Sequence, residues 1–128
     1  MREIKFRGIR EKTGEWVYGY LVIREEPFLH DIISPIGNQS SCTWAIKRGS
    51  EGQYTGRKDK DGVEVYDGDV ITAYFDAING QYLITYTVKF DEFHSLYPFE
   101  DFDRYEGPMH FTVIGNRYEN PELLEAIR

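Results

Sequence analysis

A mainly β chain, rolled or closed into a small barrel, is what the sequence predicts, and three observations carry the prediction. Apolar residues alternate with polar ones over several short runs. Gly-containing turns punctuate those runs at regular spacing. Between them stands no long amphipathic helix, so the crossovers of a parallel α/β sheet have nothing to be built from.

The first run, Ile4-Lys5-Phe6-Arg7-Gly8-Ile9, alternates apolar with basic residues up to Gly8, as a half-buried strand does. Lys12-Thr13-Gly14-Glu15 reads as the turn of a hairpin leading into Trp16–Ile23. That second run has Trp16, Tyr18, Tyr20 and Val22 on one face and Val17, Leu21 and Ile23 on the other, which predicts a central strand covered on both sides. Glu25-Glu26-Pro27 ends it, and Phe28–Ile33 reads as another short strand. Residues 34–53 are the least legible stretch, with a strand or one helical turn at 42–48 equally open.

Asp61-Gly62 predicts a tight type I′ hairpin turn with Gly62 at positive φ, and Asp67-Gly68-Asp69 a second turn that launches Val70–Phe75. Ile78-Asn79-Gly80 is a third turn, feeding a strand from Tyr82 to Phe90 with Tyr82, Ile84, Tyr86, Val88 and Phe90 on one face. Residues 91–108 are acidic and aromatic, interrupted by Pro98 and Pro108, and read as a long loop. Phe111–Val113 returns to strand. In the closing segment Asn120 can cap, Pro121 suits the first helical position and Glu122 meets the positive helix end. A short helix over 121–127 follows, burying Leu123, Leu124 and Ile127.

Composition narrows the class. With 128 residues the chain is sized for one domain and can bury a core of its own. Hydrophobic residues at 41% and aromatics at 16% argue against disorder. A single Cys rules out an intramolecular disulfide. No run approaches the ~18 apolar residues of a membrane helix, and Met1-Arg2-Glu3 leads straight into the first strand pattern, so a cytoplasmic protein without a membrane partner is expected. The net charge of −7 is unevenly placed, since residues 1–60 carry 11 basic and 8 acidic side chains and residues 61–128 carry 4 and 14. Net negative charge works against broad affinity for nucleic acid, which depends on neutralising phosphates, although it leaves room for a local basic patch.

Residues with chemical potential are sparse. His30, His94 and His110 are scattered without metal-ligand spacing, so no metal site and no cofactor are expected. Cys42 follows Ser40-Ser41 with no basic neighbour and reads as an inert thiol. Asp59-Lys60-Asp61-Gly62 begins like a calcium loop, but Gly falls at the fourth position and Val63 at the fifth, which fits a hairpin turn better. Nucleophile elbow, phosphate loop and dinucleotide fingerprint are all missing from the sequence, so no catalytic residue is named. The densest feature is Phe99-Glu100-Asp101-Phe102-Asp103-Arg104-Tyr105-Glu106. Its Phe99, Phe102 and Tyr105 recur every third residue, with Glu100, Asp101, Asp103 and Glu106 between them. Such a segment can dock a basic partner with its rings as anchors, or cover the barrel with the rings folded back.

Three segments together resemble the YopX-like family of small bacteriophage and prophage proteins. They are Met1–Arg7, Gln53–Val70 and Val113–Leu124, and the motif positions within the latter two are Tyr54, Thr55, Gly56, Asp59, Gly62, Tyr66, Gly68, Asp69, Gly115, Asn116, Tyr118, Asn120 and Pro121. The chain departs from the family pattern at Gly8-Ile9-Arg10, where Ala-Trp-Asp is usual, and at Arg57, where Leu is usual. The resemblance implies one YopX-like domain, with a β-rich N-terminal part over 1–52 and an SH3-like barrel part with the terminal helix over 53–128. It carries no established activity and therefore no catalytic residues.

Function is thus expected to be that of a non-enzymatic phage accessory protein, acting on a host or phage protein through protein–protein contacts. The alternative is a nucleic-acid-binding barrel using Lys5, Arg7, Arg10, Lys12, Arg57, Lys58 and Lys60 beside exposed rings. Homo-oligomerisation is also expected, because runs 16–23 and 70–75 are apolar on both faces and need two covers.

Overall fold

A computed structural model describes residues 5–23, 30–36, 40–90 and 95–123, with the backbone alone for residues 22, 23, 30–36 and 40–42. The fold is mainly β, with antiparallel sheets and a short C-terminal helix. Two compact units divide it, Met1–Tyr54 and Thr55–Arg128.

In the first unit the alternating residues of β1 (Phe6–Ile9) and β2 (Trp16–Ile23) form the expected hairpin, with Arg7 opposite Tyr18 and Ile9 opposite Trp16. The loop is closed by the Arg10 N–H on the Glu15 carbonyl at 2.7 Å and the Gly14 N–H on the Arg10 carbonyl at 2.8 Å. Beyond β2 lie β3 (His30–Ile36) and β4 (Ser40–Ala45), and β5 (Gly52–Lys58) begins beside β1 through Gly52 and Gln53. The illegible stretch therefore contains a strand at 40–45. Pro35 sits inside β3 opposite Ser41, which the sequence had suggested as a breaker. Residues 28 and 29, assigned to a strand from the sequence, lie outside the described residues. Gly8 packs so tightly that a Cβ there would stand 2.6 Å from the Ile46 side chain.

β2 is central in its sheet, but the expectation that both its faces are covered needs correction. Tyr18 is 45% and Tyr20 58% exposed. The rings tolerate this because an antiparallel sheet needs only one dry face, and a Tyr hydroxyl prefers water.

In the second unit β5 continues and pairs with β6 (Glu64–Tyr66). A three-stranded antiparallel sheet follows in the order β11-β7-β8, made of β7 (Asp69–Ala77), β8 (Gly80–Thr87) and β11 (His110–Asn116). A two-stranded ladder pairs β9 (Lys89–Phe90) with β10 (Leu96–Tyr97). Val65, Ile71, Val88, Leu96 and Phe99 form the core, ringed by Tyr86, Phe90, Phe102, Phe111 and Val113.

The single strand read over 82–90 is two strands. Val88 donates its N–H to the Asp69 carbonyl at 2.8 Å and accepts from the Gly68 N–H at 2.8 Å, and there the chain leaves β7 to pair with β10. The type I′ turn at Asp61-Gly62 also differs. Gly62 has the expected positive φ of 84°, yet the turn closes from the Gly62 N–H to the Asp59 carbonyl at 3.0 Å. Lys60 and Asp61 are thus its central pair, with the left-handed Gly following them, as in longer hairpin loops.

The segment read as a loop before Pro108 contains a helix, α1 (Phe99–Arg104). Pro98 precedes it, Glu100 and Asp101 occupy its first turn where the helix dipole favours negative charge, and Arg104 its last. Phe99 and Phe102 lie three apart, hence on one face, and that face packs on the core, with Phe99 buried and Phe102 half-buried. Residues 121–123 are helical, while Leu124 and Ile127 lie outside the described residues. Asn120 does not cap this turn with its side chain. Its Oδ1 accepts the Asn116 N–H at 3.2 Å, whereas its carbonyl accepts the Leu123 N–H at 3.0 Å.

Candidate functional site

The motif residues of the middle and terminal segments are turned to backbone bonding. Asp59 takes three N–H groups: Asp61 at 2.8 Å and Val63 at 2.9 Å on Oδ1, and Val113 at 3.0 Å on Oδ2. Burial by itself would push its carboxyl up, but those three donors, with Lys60 beside them, outweigh it and hold the group below the usual carboxylate range. Asp69 is buried and its Oδ2 accepts the Tyr66 N–H at 2.7 Å. The Thr55 hydroxyl donates to the Val65 carbonyl at 2.7 Å. Asn116 Oδ1 accepts from the Tyr118 and Glu119 N–H groups at 3.0 and 2.9 Å. Gly56, Gly62 and Gly68 supply positive φ, and at Gly115 a Cβ would lie 2.5 Å from Asn120 Oδ1. Tyr54 and Tyr66 are buried, and Pro121 is exposed. Apart from the exposed Gly56, Gly62 and Pro121, these motif residues are buried or half-buried, and their contacts hold turns in place.

The outward chemistry of the second unit gathers around α1. Phe99, 1% exposed, packs on Phe111 with centroids 5.1 Å apart. Phe102 is a hub, its ring 5.3 Å from Tyr86, 5.7 Å from Phe99 and 5.9 Å from Phe75. Gly107 lets the chain leave the helix across Phe102, since a Cβ there would stand 3.0 Å from the Phe102 carbonyl oxygen. Tyr105, by contrast, is 69% exposed. Glu100, Asp101, Asp103 and Glu106 are all exposed; Asp103 pairs with Arg57, whose guanidinium also lies 4.9 Å over the Phe99 ring. Glu100 and Asp101 line a recess of about 130 Å³ with Ser95, Leu96 and the exposed Tyr97. Tyr86, whose ring lies 5.9 Å from that of Tyr97, has its hydroxyl pushed up by burial and by the neighbouring Tyr97, Tyr82 and Asp101.

Of the three rings the sequence offered as anchors, only Tyr105 is exposed. The three-residue spacing puts Phe99 and Phe102 on the core side, while Tyr105, one position past the helix, turns out. Tyr97 was missed, because nothing in the sequence separates it from the other rings of the strands.

The basic residues divide by unit. Lys5, Arg7, Arg10 and Lys12 belong to the first and Arg57, Lys58 and Lys60 to the second. In the first unit, cations sit over rings: Lys5 is 5.0 Å from Tyr54, Arg7 4.3 Å from Trp16 and Arg10 4.2 Å from Trp44. His110 lies tilted against Tyr74, with ring centroids 4.6 Å apart. His94 lies outside the described residues, as do the side chains of His30 and Cys42. Among the described residues no group of three or more His, Cys, Asp or Glu side chains comes together, and no helix is long and apolar enough to cross a membrane.

A family model described as YopX protein matches residues 5–125. A crystal structure of protein EF1440 from Enterococcus faecalis is similar in fold, with a TM-score of 0.55 and 19% sequence identity over 97% of this chain and 99% of that one. No curated protein is similar to the chain.

Proposed function

Because the chain belongs to the YopX family, we propose that it is a non-enzymatic phage or prophage accessory protein in the bacterial cytoplasm that docks a basic host or phage protein. The α1 surface is the docking face. One observation carries this reading: the helix commits Phe99 and Phe102 to the core yet leaves Tyr105 69% exposed among the exposed carboxylates of Glu100, Asp101 and Glu106. An aromatic ring with two torsions and a polar tip is an efficient anchor, and carboxylates around it steer a positively charged surface. The charge of the second unit supports the same partner, since residues 55–128 hold 7 basic and 15 acidic side chains.

Affinity capture from bacterial lysate tests it. The wild-type chain is expected to retain a discrete basic protein that is released by raised salt, and that is lost both from Tyr105→Ala and from the combined Glu100→Gln, Asp101→Asn and Glu106→Gln variant. Capture that ignores salt and survives both changes would overturn the assignment.

A further inference from the structure

We infer that the groove between the β1–β2 turn and β4, in the first unit, is a binding site for a nucleotide. This site is separate from the α1 face and does not rest on the docking reading. The groove encloses about 540 Å³ and is lined by Arg10, Glu11, Lys12, Thr43, Trp44 and Ala45. That volume lies within the roughly 300–1,000 Å³ typical of small-molecule sites.

Its walls are held by main chain. Arg10 and Ile46 form a bridge, the Glu11 N–H donates to the Ala45 carbonyl at 2.9 Å, and the Lys47 N–H donates to the Ile9 carbonyl at 2.8 Å. These bonds join the end of β1 to the end of β4, so the two sides of the groove keep their spacing without a ligand. Preorganised walls of this kind reduce the ordering cost of binding.

The Arg10 guanidinium stands 4.2 Å from the Trp44 ring. Stacking occupies a face of the guanidinium and leaves its in-plane N–H donors for an anion, whose bidentate recognition is what arginine does best. Among the described residues no carboxylate pairs with Arg10. Lys12 lines the same groove and is exposed. Two cations, Arg10 and Lys12, against the single Glu11 carboxylate leave the lining net positive in a protein whose net charge is −7, which favours a phosphate-bearing ligand. The half-buried Trp44 and the guanidinium on it offer flat surfaces that a base extends as a stack. Glu11 and the Thr43 hydroxyl remain to accept from a ribose hydroxyl or an exocyclic amine. A bare phosphate would use the cations alone, whereas a nucleotide uses the whole lining.

The nucleotide can come free or as part of a single strand, and the test separates the sources. Equilibrium dialysis of the full chain with AMP, and fluorescence anisotropy with a labelled short oligothymidylate, are run with inorganic phosphate as competitor. Saturable binding of AMP supports a free nucleotide, and binding of the oligomer alone supports a strand; either result upholds the site. Lys12→Gln and Arg10→Gln are each expected to weaken binding about tenfold, as loss of one charge-assisted bond does. Lys12 is an exposed turn residue, so its variant melts as the wild type does and decides the matter even where Arg10→Gln is destabilised. Phosphate is expected to compete at least about tenfold more weakly than AMP, because it forgoes the stack. The inference fails if neither probe binds saturably, if both variants bind like wild type, or if phosphate competes as well as AMP.

Discussion

Asp59 shows how one side chain can organise residues far apart in the chain. Its two oxygens serve two hairpin N–H groups and, 54 positions away, that of Val113. From sequence the local half was legible, because an Asp two residues before Asp61-Gly62 is a turn former. The bond to Val113 was not, since nothing in a linear pattern says which distant strand will pass a carboxylate. The Asp59→Asn change replaces an acceptor-only group by one whose amide nitrogen faces other donors, and is expected to cost about 2 kcal/mol in denaturant unfolding at neutral pH. The sign of the pH dependence follows from the lowered carboxyl. A group held below its unfolded value stabilises the fold above that value and loses its contribution as pH falls through the folded one. The gap between wild type and variant should therefore be widest at neutral pH and narrow as the solution is acidified below the ordinary carboxylate range. A gap that stays constant through acidification would show that the charge contributes nothing.

Among the elements, α1 is where sequence and structure part most clearly. Pro98 and Pro108 mark a loop when read as breakers, but a proline just before a helix is compatible with its start, where a missing N–H costs nothing. The turns were more legible than the helix because Gly at positive φ is a property of one residue. A six-residue helix, by contrast, exists only through the sheet it packs on. That dependence has a measurable consequence. Phe102, in contact with Tyr86, Phe99 and Phe75, should lose about 3 kcal/mol of stability on replacement by Ala. Tyr105, outside the helix and exposed, should lose less than about 0.5 kcal/mol on the same replacement. Thermal or denaturant unfolding of the two variants checks this, and equal losses would mean that Tyr105 is anchored inward and unsuited to docking. The break at Val88 follows the same logic, since alternation continues unchanged through Phe90 while hydrogen bonding passes from β7 to β10. Periodicity reports which face a residue takes, and it does not report which neighbour its backbone finds.

At the scale of the whole molecule, charge is divided along the same boundary as the two compact units. Residues 1–54 carry 8 basic and 7 acidic side chains, while residues 55–128 carry 7 and 15. The net charge of −7 therefore belongs almost wholly to the second unit, and the argument it makes against broad affinity for nucleic acid does not bear on a local site in the first, where Arg10 and Lys12 line the groove. Two surfaces of opposite character on two units imply two binding events that can be weakened one at a time. Neutralising Glu100, Asp101 and Glu106 should abolish capture of the basic protein and leave AMP affinity within about twofold of wild type, because substitutions that share no contact are close to additive. Lys12→Gln should do the reverse. Both events should weaken with salt, since each pairs opposite charges, so salt alone cannot assign them and the crossed variants can. Measuring both affinities in both variants completes the test. If either substitution weakens both ligands to the same degree, the two surfaces are one coupled site and their assignment to separate units is wrong.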